Sequence, residues 1–312
     1  MNATVAHDLL ERGASPFDLD DDASYLRWRA WKLAAHPRRI EDLIVDVADP
    51  RALDRAECAA LRERIARANV AVYRSRVLDE DPQIARALGA QLGLKRLDAN
   101  WLADEDGISR VAVSPKSDGR GGFIPYTNRP LGWHTDGYYH PQQRRIHAMI
   151  LHCVRPARRG GVNALLDHEM AYLGLRDASK NHVRALMQPD AMTIPARTDE
   201  DGVARAAQGG PVISVDAMHG KLHLRYTARQ RSIEWKADTA THAARLCLEG
   251  LLAGGAPWIF RIRLQAGMGI VGHNVLHDRT GFEDEPQRPR LLYRARYLDR
   301  VDLPKPAAWR NG

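Results

Sequence analysis

Cysteine, lysine and long apolar runs are all scarce in this sequence. Its three cysteines, among 312 residues, are far apart and odd in number, which indicates neither a disulfide framework nor a metal finger. No apolar run approaches the roughly 20 residues that a membrane helix needs. The N-terminal segment also lacks the basic and apolar regions of a signal peptide. The sequence therefore predicts a cytoplasmic protein with no membrane partner.

Seven of the 46 basic residues are lysines, so the net charge of +7 depends on arginine. A nucleic-acid-binding surface is usually visible as a cluster of basic residues. Most arginines here are instead spread along the chain and accompanied by acidic residues. The basic balance is thus weak evidence for a nucleic-acid partner.

The hydrophobic pattern predicts helices mixed with many short strands, which is typical of an α+β protein whose strands form a sandwich or barrel. The predicted helices are Ser24–Ala35, Asp54–Asn69, Pro82–Leu92, Asp167–Arg176, Ser179–Met187 and Asp238–Leu252. The predicted strands are Val70–Tyr73, His147–Val154, Val212–Val215, Lys221–Tyr226, Trp258–Leu264, Gly269–Val271 and Leu291–Tyr297. We predict one domain over 1–312, with an N-terminal helical extension at 1–45 and the core, with helical insertions, at 46–312.

Residues 114–132 are rich in glycine, proline and other turn residues, which predicts a long loop. Loops of this length in compact domains are often lids or binding loops. The composition fits a lid over Pro115–Pro130 and a plain surface loop equally well.

The segment Gly132–Gly137 contains the first candidate for chemistry. In an extended segment, side chains two residues apart point to the same side, so His134 and Asp136 can face one point. They would supply two ligands of a 2-His-1-carboxylate facial triad, whose open positions suit Fe(II) oxygenase chemistry. His277, downstream of the apolar strand Gly269–Val271, is the candidate third ligand, and His273 is a competitor. A surface histidine beside an acid is the alternative for His134.

The second candidate is the arginine-rich strand near the C-terminus. Arg290, Leu292, Arg294 and Arg296 would share one face of this strand, while its other face is apolar. Buried charge must be paired, so the first face suits a protein core only if an anion binds there. Arginine is well suited to bidentate carboxylate binding. An edge strand with a solvated arginine face stays open as the alternative.

These constellations together resemble the taurine dioxygenase-like (TauD/TfdA) family of Fe(II)/2-oxoglutarate-dependent oxygenases. The resemblance covers roughly residues 125–298 and implies a double-stranded β-helix (jelly-roll) core with flanking helices. The segments that carry it are Trp133–Gly137 (WHTDG), Gly160–Asn163 (GGVN), Leu165–Asp167, Asn274–Phe282 and Pro289–Arg294.

The resemblance also implies roles for single residues. His134, Asp136 and His277 match the iron ligands, and Arg290 matches the arginine that holds the distal carboxylate of 2-oxoglutarate. Arg294 matches a second arginine near the co-substrate or substrate. Asn163 stands where the family usually has a threonine that contacts 2-oxoglutarate, and an amide can also donate a hydrogen bond.

Arg288 lies two residues before Arg290 on the same predicted face, so it is a second candidate for the carboxylate contact. Related halogenases lack the carboxylate ligand, so the presence of Asp136 favours hydroxylation or a related oxidation. The implied reaction consumes O2, decarboxylates 2-oxoglutarate to succinate and CO2, and oxidises a C–H bond.

For the substrate we expect a small organic acid or an amino-acid-like compound. Arg225 and Arg229 could steer an anion, but we expect them to be surface charges. A zinc hydrolase with the same three ligands, a non-catalytic jelly-roll protein and a nucleic-acid-modifying oxygenase are the alternatives, and a homo-oligomer is possible. Candidate substrate contacts are the residues in or beside the loop that enters the metal site: Tyr126, Asn128, Trp133, Tyr138 and Tyr139.

Overall fold

The structure is a computed structural model that describes residues 15–98, 107–115, 117, 120–199, 202–216, 220–229 and 233–303. All six predicted helices are confirmed, with ends that differ by a few residues, and several begin at aspartates that cap the first turn. In α2, for example, the Asp54 carboxylate accepts a hydrogen bond from the Glu57 amide over 2.8 Å. The helices are α1 (Asp22–Ala35), α2 (Arg55–Ala68), α3 (Gln83–Gln91), α4 (His168–Ala178), α5 (Lys180–Leu186) and α6 (Thr239–Gly250).

Short strands make up most of the remaining regular structure. In chain order they are β1 (Ile44–Asp46), β2 (Val70–Arg74), β3 (Ser109–Val111), β4 (Leu131–His134), β5 (Ala148–Arg155), β6 (Arg159–Gly160), β7 (Asn163–Leu166), β8 (Met192–Ile194), β9 (Arg197–Asp199), β10 (Gly202–Arg205), β11 (Gln208–Gly210), β12 (Ile213–Asp216), β13 (Lys221–Leu224), β14 (Glu234–Trp235), β15 (Phe260–Ile262), β16 (Met268–His273), β17 (Leu276–Arg279), β18 (Phe282–Glu283) and β19 (Leu291–Tyr297).

Two sheets form the centre of the molecule. A six-stranded sheet has the order β1-β2-β16-β5-β19-β3, in which only the β1–β2 pair is parallel among the described strands. A four-stranded antiparallel sheet has the order β15-β7-β17-β4. Leu165 and Phe260 of the smaller sheet pack in one apolar cluster with Leu151, Ile270 and Leu292 of the larger sheet. The two sheets therefore face each other across a shared core.

The second face of the larger sheet is covered by helices. Tyr293, Ala295 and Tyr297 of β19 pack there with Ile65 of α2 and Leu88 of α3. The alternation predicted for this strand is thus confirmed, with one face toward the helices and the arginine face toward the space between the sheets.

The N-terminal helix α1 is tied to the rest of the fold by a buried ion pair. The Lys32 side chain is fully buried, and its Nζ lies 2.6 Å from carboxylate oxygens of both Asp167 and Glu169. Those carboxylates outweigh burial and raise the pKa of Lys32. The structure therefore anchors the predicted extension firmly. Strand β1 crosses the predicted boundary at residue 45 because it pairs with β2 in the large sheet.

Two parts of the sequence fold with more structure than their composition predicts. The predicted loop 114–132 includes a short 3-10 helix, Ile124–Tyr126, and its end already belongs to β4. Between residues 192 and 210, four short strands occur that the pattern did not indicate. Within the described ranges, the structure has no helix with both the length and the apolar character required to cross a bilayer.

Candidate metal centre and active-site cavity

Two histidines face each other across the smaller sheet. Strands β4 and β17 are antiparallel, and His277 lies directly opposite His134, with 4.2 Å between the ring centroids. After β4 the chain turns at Gly137, whose φ of +66° favours glycine, and this turn follows Asp136 directly. One ligand atom from each of His134, Asp136 and His277 lies within 4.8 Å of the other two. The fold thus brings together the three residues that the sequence proposed.

Hydrogen bonds to the backbone orient both imidazoles. Nδ1 of His134 lies 2.9 Å from the carbonyl oxygen of Gly132, and Nδ1 of His277 lies 2.9 Å from that of Val275. A carbonyl oxygen can only accept, so each Nδ1 carries a proton, and Nε2 is the ring nitrogen that is left to bind a metal. This is the arrangement that metal-ligating histidines use, because the second nitrogen fixes the ring orientation.

Asp136 is buried, and its Oδ2 atom has no hydrogen-bond partner among the described residues. Its other oxygen lies 3.5 Å from Nη1 of Arg294 and 4.0 Å from Nη1 of Arg296. Burial opposes ionisation, but the two guanidinium groups outweigh it and hold the pKa of Asp136 below its usual range. Burial, together with His277, lowers the pKa of His134 to about 3. Both groups are therefore deprotonated at neutral pH, as metal binding requires.

Asn274 is a buried residue that sequence reasoning missed at this site. Its Oδ1 accepts from the Asp136 amide over 2.8 Å, while Nδ2 donates to the Asp136 carbonyl over 2.8 Å and to the Ile146 carbonyl over 3.0 Å. This single amide fixes the backbone of the carboxylate ligand from a strand end far along the chain. Its position in the HNVLHD segment was a signal, but its partner could not be read from the sequence.

The competing histidine, His273, is buried elsewhere. Its Nδ1 lies 2.7 Å from Oδ1 of Asn69, and burial holds its pKa well below the usual value. It does not belong to the group of ligand atoms around His134. Its burial and its contact with Asn69 indicate a packing role for His273.

Arg290 is a buried cation. The residue is 4% exposed, its Nη1 has no hydrogen-bond partner, and it forms no ion pair within the described part of the chain. Its guanidinium carbon lies 5.0 Å from the ring centroid of Phe282, and burial lowers its pKa to about 10. Arg288, the alternative, is exposed. Asn163 is buried on β7, and its Nδ2 also lacks a partner among the described residues. Such unpaired donors fit an anionic ligand.

A cavity of about 1140 Å³ opens beside His134 and Asp136. Its wall includes His134, Asp136 and Arg294, together with three of the five predicted substrate contacts, Tyr126, Tyr138 and Tyr139. Trp133 follows the alternation of β4 to the opposite side and lines a separate pocket with Trp235. Asn128 is exposed and contributes only its carbonyl, which accepts from the Phe282 amide. These last two residues are not among the described residues that line the cavity.

Four arginines require a new description. Arg225, expected at the surface, is 8% exposed and donates to the carbonyls of Tyr138, Gln208, Met192 and Gly210, so this expectation was wrong. Arg229 lines the cavity and donates to the Tyr138 hydroxyl over 3.4 Å. Arg197 and Arg205 also line the cavity, and sequence reasoning missed both because they belong to strands that it did not predict.

The donor set fits Fe(II). Two imidazole nitrogens and one carboxylate oxygen form the facial triad of non-haem iron oxygenases, which leaves positions open for other ligands. Oδ2 of Asp136, unpartnered among the described residues, and the Nε2 atoms of His134 and His277 are the atoms that such a metal would contact.

The model of the Taurine catabolism dioxygenase TauD, TfdA family matches residues 32–296. The chain belongs to this family. The resemblance found in the sequence is thereby confirmed. As a TauD/TfdA family member the protein is a dioxygenase that uses Fe(II), 2-oxoglutarate and O2. The family match begins inside α1, so most of the predicted N-terminal extension lies outside it.

Two curated relatives are uridine-5'-phosphate dioxygenases. One, from Amycolatopsis sp, is 33% identical over 172 residues, which cover 54% of this chain and 60% of the relative. The other, from Streptomyces sp, is 31% identical over 206 residues, which cover 64% of this chain and 73% of the relative. The match thus spans less than two thirds of the length of the Amycolatopsis protein.

The fold is also similar to that of solved TauD-like oxygenases. A structure of asparagine oxygenase in complex with Fe(II), 2S,3S-3-hydroxyasparagine and succinate aligns with a TM-score of 0.53 and 18% identity, covering 89% of this chain and 92% of that one. At this identity the likeness concerns the fold.

Proposed function

We propose that this dioxygenase hydroxylates a C–H bond of a small organic acid or an amino-acid-like compound and releases succinate and CO2. The observation that carries the proposal is the grouping of His134, Asp136 and His277, whose free ligand atoms converge beside a cavity. We further propose that the two facing sheets are the halves of a double-stranded β-helix in a single domain.

In this proposal His134, Asp136 and His277 hold the iron, and Asn274 and the backbone carbonyls of Gly132 and Val275 hold these ligands in place. The bound metal supplies the activation of O2 and the oxidation of the substrate. Because Asp136 is ionised and His134 neutral in the folded protein, no proton has to leave either group before the metal binds.

Arg290 is proposed to bind the distal carboxylate of 2-oxoglutarate. A buried, unpaired guanidinium gains a large interaction from an anion, and its planar fork matches a carboxylate. Asn163, through its free Nδ2, and Arg294, on the cavity wall beside Asp136, would contact the same co-substrate or the substrate.

Two observations support a second class of substrate, the nucleoside phosphates. Both curated relatives are named for uridine 5'-phosphate. The cavity, at about 1140 Å³, also exceeds the roughly 300–1,000 Å³ typical of drug-sized ligands, so it has room for more than a small amino acid. A cytoplasmic location and a homo-oligomer stay predictions from the sequence.

The deciding experiment is anaerobic reconstitution with Fe(II) and 2-oxoglutarate, followed by visible absorption spectroscopy. We expect a metal-to-ligand charge-transfer band that requires both additions. Arg290→Ala should shift the 2-oxoglutarate titration to higher concentration by about tenfold or more, because a hydrogen bond to a charged group contributes roughly 1.5–3 kcal/mol. Arg288→Ala is the matched control, since this exposed arginine lies two residues away.

Absence of the band in the intact protein would contradict the proposed site. An equal loss in Arg288→Ala would contradict the role of Arg290. Succinate release is then measured across organic acids, amino acids and nucleoside phosphates. A response confined to peptides or nucleic acids would exclude the proposed substrate classes, and zinc-dependent hydrolysis without 2-oxoglutarate would favour the hydrolase alternative.

A further inference from the structure

The cavity wall is strongly asymmetric in charge. Five arginines line it, whereas Asp136 is the one acidic residue among its described lining residues. Arg296 is already paired with Asp98 at 2.7 Å, and Arg294 lies 3.5 Å from Asp136. The other three cavity-lining arginines, Arg197, Arg205 and Arg229, have no role in the chemistry described above.

Arg197 and Arg205 form a cross-strand pair. Strands β9 and β10 are antiparallel, and their register places Arg205 directly opposite Arg197. Directly opposed side chains have Cβ atoms roughly 4.5–5.5 Å apart, and like charges at such positions are destabilising. An anion between the two guanidinium groups converts this repulsion into attraction. Burial and the neighbouring Arg197 both lower the pKa of Arg205, although nearby tyrosines oppose this.

Arg205 has a guanidinium nitrogen that is available to donate to a ligand. Its Nη2 donates to the Pro195 carbonyl over 2.7 Å, but its Nη1 is buried with no partner in the described residues. Its guanidinium carbon lies 5.9 Å from the ring centroid of Tyr139, while Arg229 contacts the hydroxyl of Tyr138. Those two tyrosine rings lie 5.2 Å apart, so the arginines flank a single aromatic pair.

Aromatic surface faces the same space. Arg197 lies over the ring of Phe123, 4.9 Å from its centroid, and Phe123, Tyr126 and Tyr138 all line the cavity. Aromatic side chains of this kind provide faces on which a planar ring can stack. The cavity thus combines clustered cations with aromatic walls beside the candidate metal centre.

We propose that Arg197, Arg205 and Arg229 form a phosphate-binding subsite, and that the substrate is a ring-bearing phosphomonoester such as a nucleoside 5'-monophosphate. This inference rests on the proposed oxygenase function and favours the second of its two substrate classes, the nucleoside phosphates. A carboxylate carries one charge and two oxygens, which one arginine can satisfy. A phosphomonoester carries about −1.5 to −2 charges at pH 7 and three acceptor oxygens, and it therefore matches three arginines better.

The test measures ligand binding by anaerobic calorimetry to the protein loaded with Fe(II) and 2-oxoglutarate. The probes are uridine 5'-phosphate, ribose 5-phosphate, uridine and L-asparagine. We expect uridine 5'-phosphate to bind at least about tenfold more tightly than uridine, the factor expected for one charged hydrogen bond. We expect Arg205→Ala to lower the affinity for uridine 5'-phosphate by about tenfold or more and the affinity for uridine by less than about twofold.

Two controls accompany this variant. Arg158→Ala removes an exposed arginine outside the cavity lining and should bind every probe as the wild type does. Arg205→Lys keeps the positive charge but loses the planar guanidinium fork, so its affinity for uridine 5'-phosphate should lie between those of the wild type and Arg205→Ala. The charge-transfer band of Arg205→Ala should equal that of the wild type, which shows that the metal centre is intact.

Equal affinity for uridine and uridine 5'-phosphate would overturn the proposal. It would also be overturned if L-asparagine alone bound tightly or if no probe bound. A parallel loss of affinity for uridine in Arg205→Ala would also overturn it, because the hairpin would then act on the cavity shape. Absence of the charge-transfer band in the wild-type protein would instead contradict the oxygenase function itself, independently of Arg205.

Discussion

Replacement of Asn274 by alanine tests how the fold positions the carboxylate ligand. The residue is 4% exposed, and its amide makes three hydrogen bonds, one to the Asp136 amide and two to the carbonyls of Asp136 and Ile146. Alanine leaves those backbone groups buried and unsatisfied. An unsatisfied buried group costs about 1–3 kcal/mol, and the carbonyls can partly recover, so we expect a loss of about 2–5 kcal/mol in the free energy of unfolding.

In a chain of this length, that loss corresponds to a decrease in Tm of about 3–8 °C, since the unfolding entropy is roughly 2.1 cal/mol/K per residue. Metal affinity should fall about 10- to 100-fold, the usual effect of removing a group that orients a metal ligand. Calorimetry of the metal-free protein gives the first quantity, and anaerobic Fe(II) titration gives the second. Asn274→Asp should be at least as damaging, because a carboxylate would face two carbonyl oxygens.

Asn181→Ala is the matched control, since this asparagine is exposed on α5 and should leave both quantities unchanged within error. Wild-type metal affinity in a destabilised Asn274→Ala protein would refute the positioning role and leave only a contribution to stability. An unchanged Tm would refute the hydrogen-bond accounting altogether.

Three further perturbations have definite expected signs. Lys32→Met removes the cation that pairs with the carboxylates of Asp167 and Glu169, so calorimetry should show a loss of about 3–5 kcal/mol in the free energy of unfolding. Lys180→Met removes a 40%-exposed ion-pair partner and should cost at most about 1 kcal/mol. Equal effects would contradict the burial argument. Arg290→Met removes a buried unpaired cation, so the Tm without ligands should stay equal or rise while 2-oxoglutarate no longer raises it. A large decrease in the ligand-free Tm would mean that this arginine has a structural partner. Burial lowers the pKa of His152 to about 4, so its contribution to stability is complete above its unfolded pKa of about 6.5 and declines as pH falls toward 4. Stability measured in His152→Gln should depend less steeply on pH in this window, and an unchanged slope would contradict the assignment.

The local sequence pattern was sufficient to predict features that depend on residues close together in the chain. The alternation of extended residues predicted that His134 and Asp136 face one point, and the structure brings them together although β4 ends at His134 and Asp136 lies in the turn that follows. The same period of two separates the arginine face of β19 from its apolar face. The helices also follow from their apolar spacing and their aspartate caps, as Asp54 and Asp167 illustrate. Both kinds of signal depend on neighbours within a few residues, so they survive without knowledge of the fold.

Composition was misleading for residues whose burial and partners depend on tertiary contacts. Arg225 is one of the few described arginines that are buried, and its Nη1 and Nη2 atoms donate to carbonyls of four residues that only folding brings close. Strands β8 to β11 are too short for a period to be visible, so the arginine pair across β9 and β10 was missed. Trp133 lay beside the metal site in sequence, but the alternation of β4 directs it to the other side of the sheet.

The sequence by itself determined which residue types could form a metal centre and an anion site, since those choices depend on ligand chemistry and on the alternation within one strand. The tertiary structure decided that His277 lies opposite His134, that Asn274 holds the backbone of Asp136, and that Arg290 is buried with its Nη1 unpartnered among the described residues. The physical reason is that strand register and burial are set by the whole packed core. Residues far apart in the chain therefore acquire their chemical partners only when the sheets close on each other.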